Sequence, residues 1–268
     1  MTFSDRELLR TAAYADDAKL SARQAIYRFI ERPWPSDGGR VLGAIALRGD
    51  EVVADVGCGN GNDVRDLAAA NFGGSVVAFD LSVGMLETVR PLGVPVVNAD
   101  AAALPLRDGA VDVALAMHML YHCPDIRATV RELRRIVRVG GALVVSTNAR
   151  AHLQELRVMW TSALSDVVRA PVEPWRSSTE RFSLEEAAAV IGASFGEVEV
   201  QRTDNRLLVP EVEPVVAYVE STRDLSGGGI ADDVWLTAID RLRERVGAVI
   251  AAEGTLALTV VKGIVVGR

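Results

Sequence analysis

Two of the three histidines in this chain of 268 residues lie close together, in the stretch AMHMLYHCPD. His118 and His122 follow an apolar run and precede a Pro-Asp pair. A neutral imidazole here could act as a catalytic base, or it could fix a loop by a hydrogen bond. We expect no metal site, because zinc needs three or four ligands together, the only other histidine is His152, and the two cysteines, Cys58 and Cys123, are not clustered with each other.

A glycine-rich loop is the second chemical signal. In VVADVGCGNGNDVRDL an apolar run leads into the glycines between Gly57 and Gly61, and a helical pattern follows. Glycines allow a tight turn and a close approach of the backbone to a ligand. About twenty residues later the next apolar run ends in Asp80, which could accept both hydroxyls of a ribose. The combination predicts an adenosine-type cofactor; the alternative is a tight turn followed by a capping Asp.

The order of the glycines bears on the type of cofactor. Dinucleotide-binding folds usually read G-x-G-x-x-G, whereas this loop reads G-x-G-x-G with Asn62 in place of the last glycine. That spacing fits one nucleoside better than a pyrophosphate. An NAD(P)-dependent oxidoreductase is therefore the less favoured alternative, and a non-catalytic cofactor-binding protein stays open.

The elements that must position these residues are short strands and amphipathic helices. Five runs read as strands: EVVADVG, SVVAFD, VPVVNAD, VDVALAM and ALVVST. Continuous apolar strands that alternate with helices predict a mostly parallel sheet covered on both faces. Two later runs, VEVQRTDNRLLV and TLALTVVKGIVVG, add strands. We expect an α/β fold with a Rossmann-like, doubly wound, seven-stranded sheet, the last strand antiparallel, and a helical cap.

The flanks suggest how the single domain, 1–268, is organised. Ser183 and Glu186 form a capping-box pattern that predicts a helix. We expect N-terminal cap helices over 1–50, a cofactor-binding core over 51–149, a cap insertion over 150–181 and the C-terminal half of the sheet over 182–268.

Composition disfavours some classes of partner. The formal net charge of −7 and a pI of about 5.1 disfavour nucleic acid, which binds basic surfaces. No apolar run reaches the roughly 18 residues of a membrane helix, and the N-terminus has no signal-peptide pattern. Two cysteines make no disulfide framework. We expect a cytoplasmic protein without nucleic-acid or membrane partners.

Four motifs occur in an order typical of one family: DVGCGNG, FDLSVGML, NADAAALPLRDGAVDVALAMHMLYHCPD and RELRRIVRVGGALVVST. Over about residues 51–148 the chain resembles the class I S-adenosylmethionine-dependent methyltransferases, in particular those of small metabolites and natural products. The resemblance implies an enzyme of secondary metabolism that moves a methyl group to O, N or C and leaves S-adenosylhomocysteine. A peptide carboxylate is an alternative acceptor, and the acidic charge disfavours tRNA.

The resemblance also implies roles for individual residues. The cofactor contacts that it implies are Asp55, Gly57, Gly59, Asn60 and Gly61 at the first strand, Asp80, Leu81 and Met85 at the second, Asp100 and Ala101 at the third, Ala116 on the fourth, and Arg23 from the N-terminal helices. The acceptor-pocket candidates are Tyr14, Tyr27, Trp34, Tyr121 and Trp160. His118 and His122 are the candidate catalytic residues.

Overall fold

A seven-stranded sheet forms the centre of the computed structural model, which describes residues 3–32, 43–168, 175–226 and 229–268. Its strands are β1 Val52–Val56, β2 Ser75–Asp80, β3 Val96–Asn98, β4 Val111–Met117, β5 Val137–Asn148, β6 Val198–Val209 and β7 Leu256–Gly267. Their order in the sheet is β3-β2-β1-β4-β5-β7-β6. Strands β1 to β5 pair in parallel. The first five predicted strands are thereby confirmed.

The strand direction is reversed at β7, near the β6 edge of the sheet. β7 pairs antiparallel with β5 on one side and with β6 on the other. The β6–β7 pairing extends from Val198 opposite Gly267 to Val209 opposite Leu256. The predicted antiparallel last strand is confirmed.

Helices cover both faces of the sheet. They are α1 Arg6–Leu8, α2 Ala18–Ala25, α3 Asn62–Ala69, α4 Val83–Val89, α5 Ile126–Ile136, α6 Gln154–Val167, α7 Leu184–Gly192, α8 Val212–Ser221, α9 Arg223–Ser226 and α10 Asp232–Glu253. The predicted capping box is present at α7, where the Glu186 carboxylate accepts from the Ser183 amide at 2.8 Å. None of the described helices is long and apolar enough to span a membrane.

A second hydrophobic core lies among α6, α8, α10 and the sheet, apart from the strand ends that carry the glycine loop. Trp160 is 3% exposed there and its ring centroid lies 4.6 Å from that of Trp235. Trp160 is therefore a core residue rather than the pocket residue that the sequence suggested, because its position on the inner face of α6 directs the indole toward α10. Trp34 lies outside the described residues.

Candidate active site

The glycine loop is fixed by the neighbouring strand. The amides of Gly57 and Cys58 both donate to the carbonyl of Phe79, at 2.8 and 3.0 Å. Gly61, the N-cap residue of α3, has a φ of 80°, and a β-carbon there would crowd Leu92. Gly61 thus serves the packing of α3, whereas the loop before it faces the cavity described below.

Asp80 ends β2 and holds the loop from the other side. Its carboxylate accepts from the amide of Gly59 at 3.0 Å and from the amide of Ser82 at 2.8 Å. Burial raises the pKa of this carboxyl above its ordinary value, against the lowering effect of these amides. Asp80 also lines the cavity, so one residue both shapes the loop and places a carboxyl group beside a ligand site.

Asp55 lies beneath the loop, on β1, and is fully buried. Neither carboxylate oxygen has a hydrogen-bond partner among the described residues. Burial, and then the negative charge of Asp80, raise the pKa of Asp55 to about 7. A buried carboxylate without partners is costly, and a cationic group such as the ammonium of S-adenosylmethionine would relieve that cost. The residues at this end therefore fit the cofactor that the resemblance implies.

The predicted adenine end lies along α4 and the end of β3. Leu81, Met85, Asp100 and Ala101 all line the cavity. Asp100 also forms an ion pair with Arg6 of the N-terminal segment and accepts from a backbone amide. Its carboxylate is thus shared between a structural contact and the predicted ligand contact.

Ala116 is fully buried on β4, where it pairs with Val145 of β5. Its methyl group belongs to the core of the sheet. The predicted contact from Ala116 to the methionyl ammonium would use the backbone carbonyl, not the side chain.

Residues 3–32, here called the N-terminal segment, lie across the strand ends. The carbonyl of Tyr14 accepts from the Ser82 hydroxyl at 2.6 Å. The Asn60 amide donates to Gln24 at 2.8 Å. Ala15 packs so closely on Gly84 that a β-carbon there would overlap its carbonyl. The segment thus contacts both the glycine loop and α4, as the predicted cap over the cofactor requires.

One cavity of about 600 Å³ lies between the glycine loop, Asp80, α4 and the N-terminal segment, whereas Asp55, Gly61 and Ala116 do not line it. This volume is within the roughly 300–1,000 Å³ typical of ligand sites. The predicted residues that line it are Tyr14, Arg23, Tyr27, Gly57, Gly59, Asn60, Asp80, Leu81, Met85, Asp100, Ala101, His118, Tyr121 and His122. Most of the predicted site residues, from both the cofactor set and the acceptor set, therefore line one cavity, although they make up less than half of its lining.

His122 is held by two hydrogen bonds that define its tautomer. Nδ1 lies 2.8 Å from the carbonyl of Phe3, which can only accept, so Nδ1 carries the proton. Nε2 lies 2.8 Å from the Tyr14 hydroxyl and therefore accepts from it. Burial, and the positive charges of Arg23 and Arg181, lower the pKa of His122 to about 4. Both nitrogens are thus engaged, and they tie the N-terminal segment to the end of β4.

We expect the N-terminal segment to loosen as the pH falls from about 6.5 to about 4. The unfolded pKa is about 6.5 and the folded value is about 4, so between them the unfolded state binds more protons. The contribution of neutral His122 to the free energy of unfolding is therefore fully present above about pH 6.5. It declines below that pH, by up to about 3 kcal/mol. Amide hydrogen exchange of residues 3–29 at the two pH values, corrected for the pH dependence of the intrinsic exchange rates, checks this. In the His122→Gln variant the protection of these amides should depend less on pH. Equal protection at both pH values in wild type would contradict it.

His118 occupies a different position, directly after β4. Its amide donates to the hydroxyl and to the carbonyl of Ser146, at 3.0 and 3.1 Å. Its φ of 52° is unusual for a side chain other than glycine. His118 lines the cavity, and it remains the candidate base of the pair. Within the part of the chain that the structure describes, no three His, Cys, Asp or Glu side chains group as metal ligands would.

A second tyrosine–histidine pair joins Tyr27, a predicted pocket residue that lines the cavity, to His152, and both His152 and the neighbouring Lys262 were missed at the sequence level. The Tyr27 hydroxyl lies 2.8 Å from Nε2 of His152, and the Lys262 ammonium lies 4.0 Å from the centroid of the Tyr27 ring. Lys262 is one of only two lysines in the chain, with Lys19. Only two of the 29 Lys and Arg residues are lysines, and this scarcity was the one feature of the sequence that could have drawn attention to Lys262.

The cap insertion contributes structural contacts. Arg181 donates to the carbonyls of Tyr121 and Cys123, at 2.8 and 2.7 Å, and so fixes the turn after β4. Phe182 is buried in the main core. Trp175 lies near Tyr218, with ring centroids 6.3 Å apart.

Residues 54–145 match the methyltransferase domain family. The chain is 34% identical to a malonyl-[acyl-carrier protein] O-methyltransferase of Serratia marcescens over 125 residues, which are 46% of this chain and 48% of that protein. It is 29% identical over 142 residues to 27-O-demethylrifamycin SV methyltransferase of Amycolatopsis mediterranei, covering 49% and 48% of the two chains. The chain thus spans about half the length of these curated relatives.

The fold is also similar to solved structures. One is a phosphoethanolamine N-methyltransferase of Haemonchus contortus in complex with S-adenosyl-L-methionine, with a TM-score of 0.58 and 15% identity, over 100% of this chain and 60% of that chain. At this identity the likeness is one of fold. The ordered motifs, the seven-stranded sheet and the matched domain agree. Residues 54–145 are thus matched as a methyltransferase domain, and the surrounding chain has the fold of the class I S-adenosylmethionine-dependent methyltransferases.

Proposed function

We propose that this protein transfers a methyl group from S-adenosylmethionine to an O, N or C atom of a small metabolite or natural product bound in the same cavity. The observation that carries the proposal is the continuity of that cavity. It extends from the glycine loop and Asp80 at one end to His118, Tyr27 and Lys262 at the other.

The cofactor would be held by residues at the strand ends. When bound, S-adenosylmethionine supplies a methyl group that its sulfonium has already activated. Asp80 would bind the ribose hydroxyls while it keeps Gly59 in place. The buried Asp55 would attract the amino group, and Leu81 and Met85 would pack on the adenine.

Arg23, from the N-terminal segment, would meet the cofactor carboxylate or an anionic group of the acceptor. Its Nη1 donates to the carbonyl of Ser221 at 2.7 Å, and its buried Nη2 has no hydrogen-bond partner among the described residues. The guanidinium lies 5.1 Å from the ring centroid of Tyr14. Such a buried donor supports a ligand contact at this point.

The acceptor would lie beyond His118, between β4, β5 and the N-terminal segment. His118 is the better candidate for a base, since both ring nitrogens of His122 are engaged. Tyr121 and Tyr27 would contribute contacts to the acceptor. Positioning and exclusion of water account for much of the rate when the donor is already activated. The names of the two relatives above favour an oxygen atom as the acceptor.

Two alternatives are distinguished by simple outcomes. A carboxylate O-methyltransferase acting on a peptide would label a peptide fraction. A non-catalytic binding protein would bind S-adenosylmethionine and transfer nothing. An oxidoreductase is disfavoured because residues 54–145 match the methyltransferase domain family.

Cofactor affinity should fall as the pH is lowered below about 7. Burial raises the pKa of Asp55 to about 7, and an ammonium beside it would favour the ionised form. Protonation of Asp55 therefore competes with binding, by up to tenfold per pH unit. Calorimetric titration of S-adenosylhomocysteine at about pH 5.5 and pH 7.5 checks this. Asp55→Asn should depend less on pH; an equal dependence in the variant would exclude Asp55 as the cause.

The proposed transfer is tested with methyl-labelled S-adenosylmethionine and fractionated metabolites of the source organism, followed by mass spectrometry. We expect label in a small-molecule fraction with wild-type protein and none with Asp80→Ala. Confirmed donor binding without label in any fraction would support the non-catalytic alternative and contradict the proposal.

A further inference from the structure

We propose that a side chamber of the cavity binds an oxyanion of the acceptor, a carboxylate or a phosphate, through the guanidinium groups of Arg23 and Arg157. The inference rests on the proposed function, because it names the chemical class of a group on the molecule that would receive the methyl. It also assigns Arg23 to the acceptor rather than to the cofactor.

The side chamber is a second, smaller cavity of about 110 Å³. It lies among the N-terminal segment, α6, α8, α9 and the part of the cap insertion that begins at Trp175. Tyr14, Arg23, Asn148 and Tyr218 line both cavities, so the side chamber adjoins the main one. Its volume is below that of a typical site for a whole ligand. An acceptor in the main cavity could therefore extend one side group into the chamber.

Arg23 reaches the side chamber from α2. Its Nη1 donates to the carbonyl of Ser221 at 2.7 Å, and the next residue, Thr222, lines the chamber. Its Nη2 is buried and has no hydrogen-bond partner among the described residues. Gln24 instead faces the glycine loop, where it accepts from the Asn60 amide at 2.8 Å. The Arg23 guanidinium is thus held on the α8 side of the cavity with an unsatisfied donor, which is uncommon for a buried polar group.

Arg157 on α6 supplies a second positive charge to the side chamber. Its guanidinium donates to the backbone carbonyls of His152 and Arg150, at 2.8 and 2.7 Å. Burial lowers the pKa of Arg157 below its ordinary value, and the charges of Glu180 and Glu155 do not offset that effect. A half-buried cation whose hydrogen-bond partners are neutral carbonyls is favoured by an anionic ligand.

Tyr218 is the point at which the two arginines act together. Burial raises the pKa of its hydroxyl, and the positive charges of Arg23 and Arg157 both act to lower it. Its ring centroid lies 6.3 Å from that of Trp175, which lines the side chamber. Both guanidinium groups therefore act on one place, where the chamber meets the main cavity.

Charge is distributed unevenly between the two cavities. Four acidic residues line the main cavity, namely Asp63 and Asp66 on α3, Asp80 at the end of β2 and Asp100 after β3. Among the described residues that line the side chamber there is no Asp or Glu. A cleft with positive charge favours an anionic ligand. The side chamber therefore suits an oxyanion better than the cofactor end does.

Asn148, at the end of β5, adds a neutral polar group where the two cavities meet. Its Oδ1 is buried and has no hydrogen-bond partner among the described residues. The amide can turn its NH₂ toward a ligand, since the two amide orientations are nearly equivalent in shape. An unsatisfied amide beside the unsatisfied Nη2 of Arg23 supports a polar ligand at this point.

The test uses Trp175 as a reporter, because it lines the side chamber. Full-length protein is labelled with fluorotryptophan and saturated with S-adenosylhomocysteine, so that the cofactor site cannot take up the probe. It is titrated at constant ionic strength with butyrate, with inorganic phosphate and with butyramide, which has nearly the shape of butyrate and no charge. We expect butyrate, phosphate or both to shift the fluorine NMR signal of Trp175 saturably, and butyramide to leave it unchanged. Trp160 and Trp235, which pack together in the second core, should not respond.

Variants separate the specific site from general charge. Arg23→Gln and Arg157→Gln should each weaken binding of the anionic probe about tenfold, the effect of losing one hydrogen bond to a charged group. Arg157→Lys keeps the positive charge and should retain more of the binding than Arg157→Gln does. Arg202→Gln removes an exposed positive charge from β6 and should change nothing.

Cofactor affinity separates the two possible roles of Arg23. If Arg23 serves the acceptor, folded Arg23→Gln protein should bind S-adenosylhomocysteine with near wild-type affinity in a calorimetric titration. Arg157→Gln is the matched control, since Arg157 lines the side chamber and not the main cavity. A loss of cofactor affinity in Arg23→Gln alone, with probe binding unchanged, would assign Arg23 to the cofactor carboxylate and overturn the proposal.

The outcomes are distinct from those of the proposed function. Saturable binding of S-adenosylhomocysteine, with no shift of Trp175 by butyrate or phosphate, would overturn the oxyanion site and leave the proposed methyl transfer intact. Equal shifts by butyrate and butyramide would also overturn it. Failure of S-adenosylhomocysteine to bind in the same sample would count against the proposed function and against the inference that rests on it.

Discussion

Asp80→Ala is expected to lower the affinity for S-adenosylhomocysteine by more than tenfold while the chain stays folded. The variant would lose the predicted ribose contacts. It would also lose the two hydrogen bonds that the carboxylate accepts from the backbone amides of Gly59 and Ser82. One hydrogen bond to a charged group contributes about 1.5–3 kcal/mol, and about 1.4 kcal/mol is tenfold in affinity. Calorimetric titration measures the affinity, and circular dichroism checks the fold.

A ligand analogue separates the two roles of Asp80. Wild-type protein should bind an analogue without the ribose 2′-hydroxyl more weakly than the parent compound, whereas Asp80→Ala should bind both alike. Asp240→Ala, at an exposed carboxylate on α10, is the matched control and should retain full affinity. Wild-type affinity in folded Asp80→Ala protein would refute the ribose assignment.

Gly84→Ala is expected to displace the N-terminal segment and reduce cofactor affinity by tenfold or more. A β-carbon at Gly84 would overlap the carbonyl of Ala15, so the segment and α4 could not keep their present contact. The Ser82 bond to the carbonyl of Tyr14 would be lost with it. Hydrogen exchange should show faster exchange over residues 3–29 and little change in β1, β4 and β5.

The matched control is the same substitution on a different helix. At Gly247, on α10, a β-carbon would meet only Val212, at 3.8 Å, which is an ordinary contact. Alanine is favoured over glycine in a helix by about 1 kcal/mol, so Gly247→Ala should be neutral or slightly stabilising. If Gly84→Ala protected the N-terminal segment as well as wild type does, the close contact would not control docking.

The sheet and the cofactor end were predictable because their signals are local. An apolar run, a glycine turn and an acidic strand end each lie within a few residues, and parallel strands bring their carboxyl ends to one edge. The predicted strands and the capping box at Ser183 follow from such patterns. Gly57, Asp80 and Met85 accordingly reach the same cavity.

The acceptor end was less predictable because it joins distant segments. Tyr27, His152 and Lys262 are separated by more than a hundred residues at each step, and only the register of β5 against β7 and the docking of the N-terminal segment bring them together. The tautomers of His122 and His152 depend on single backbone partners that no spacing encodes. Trp160 is of a residue type that often lines pockets, but it lies on the face of α6 that packs into the second core.

The most direct test of the account is a calorimetric titration of the wild-type protein with S-adenosylmethionine and, separately, with NAD. We predict saturable binding of one S-adenosylmethionine per chain and no heat from NAD beyond dilution, because the glycine loop has Asn62 in place of the third glycine of dinucleotide-binding folds. Saturable binding of NAD, with no binding of S-adenosylmethionine, would contradict the assignment of this cavity.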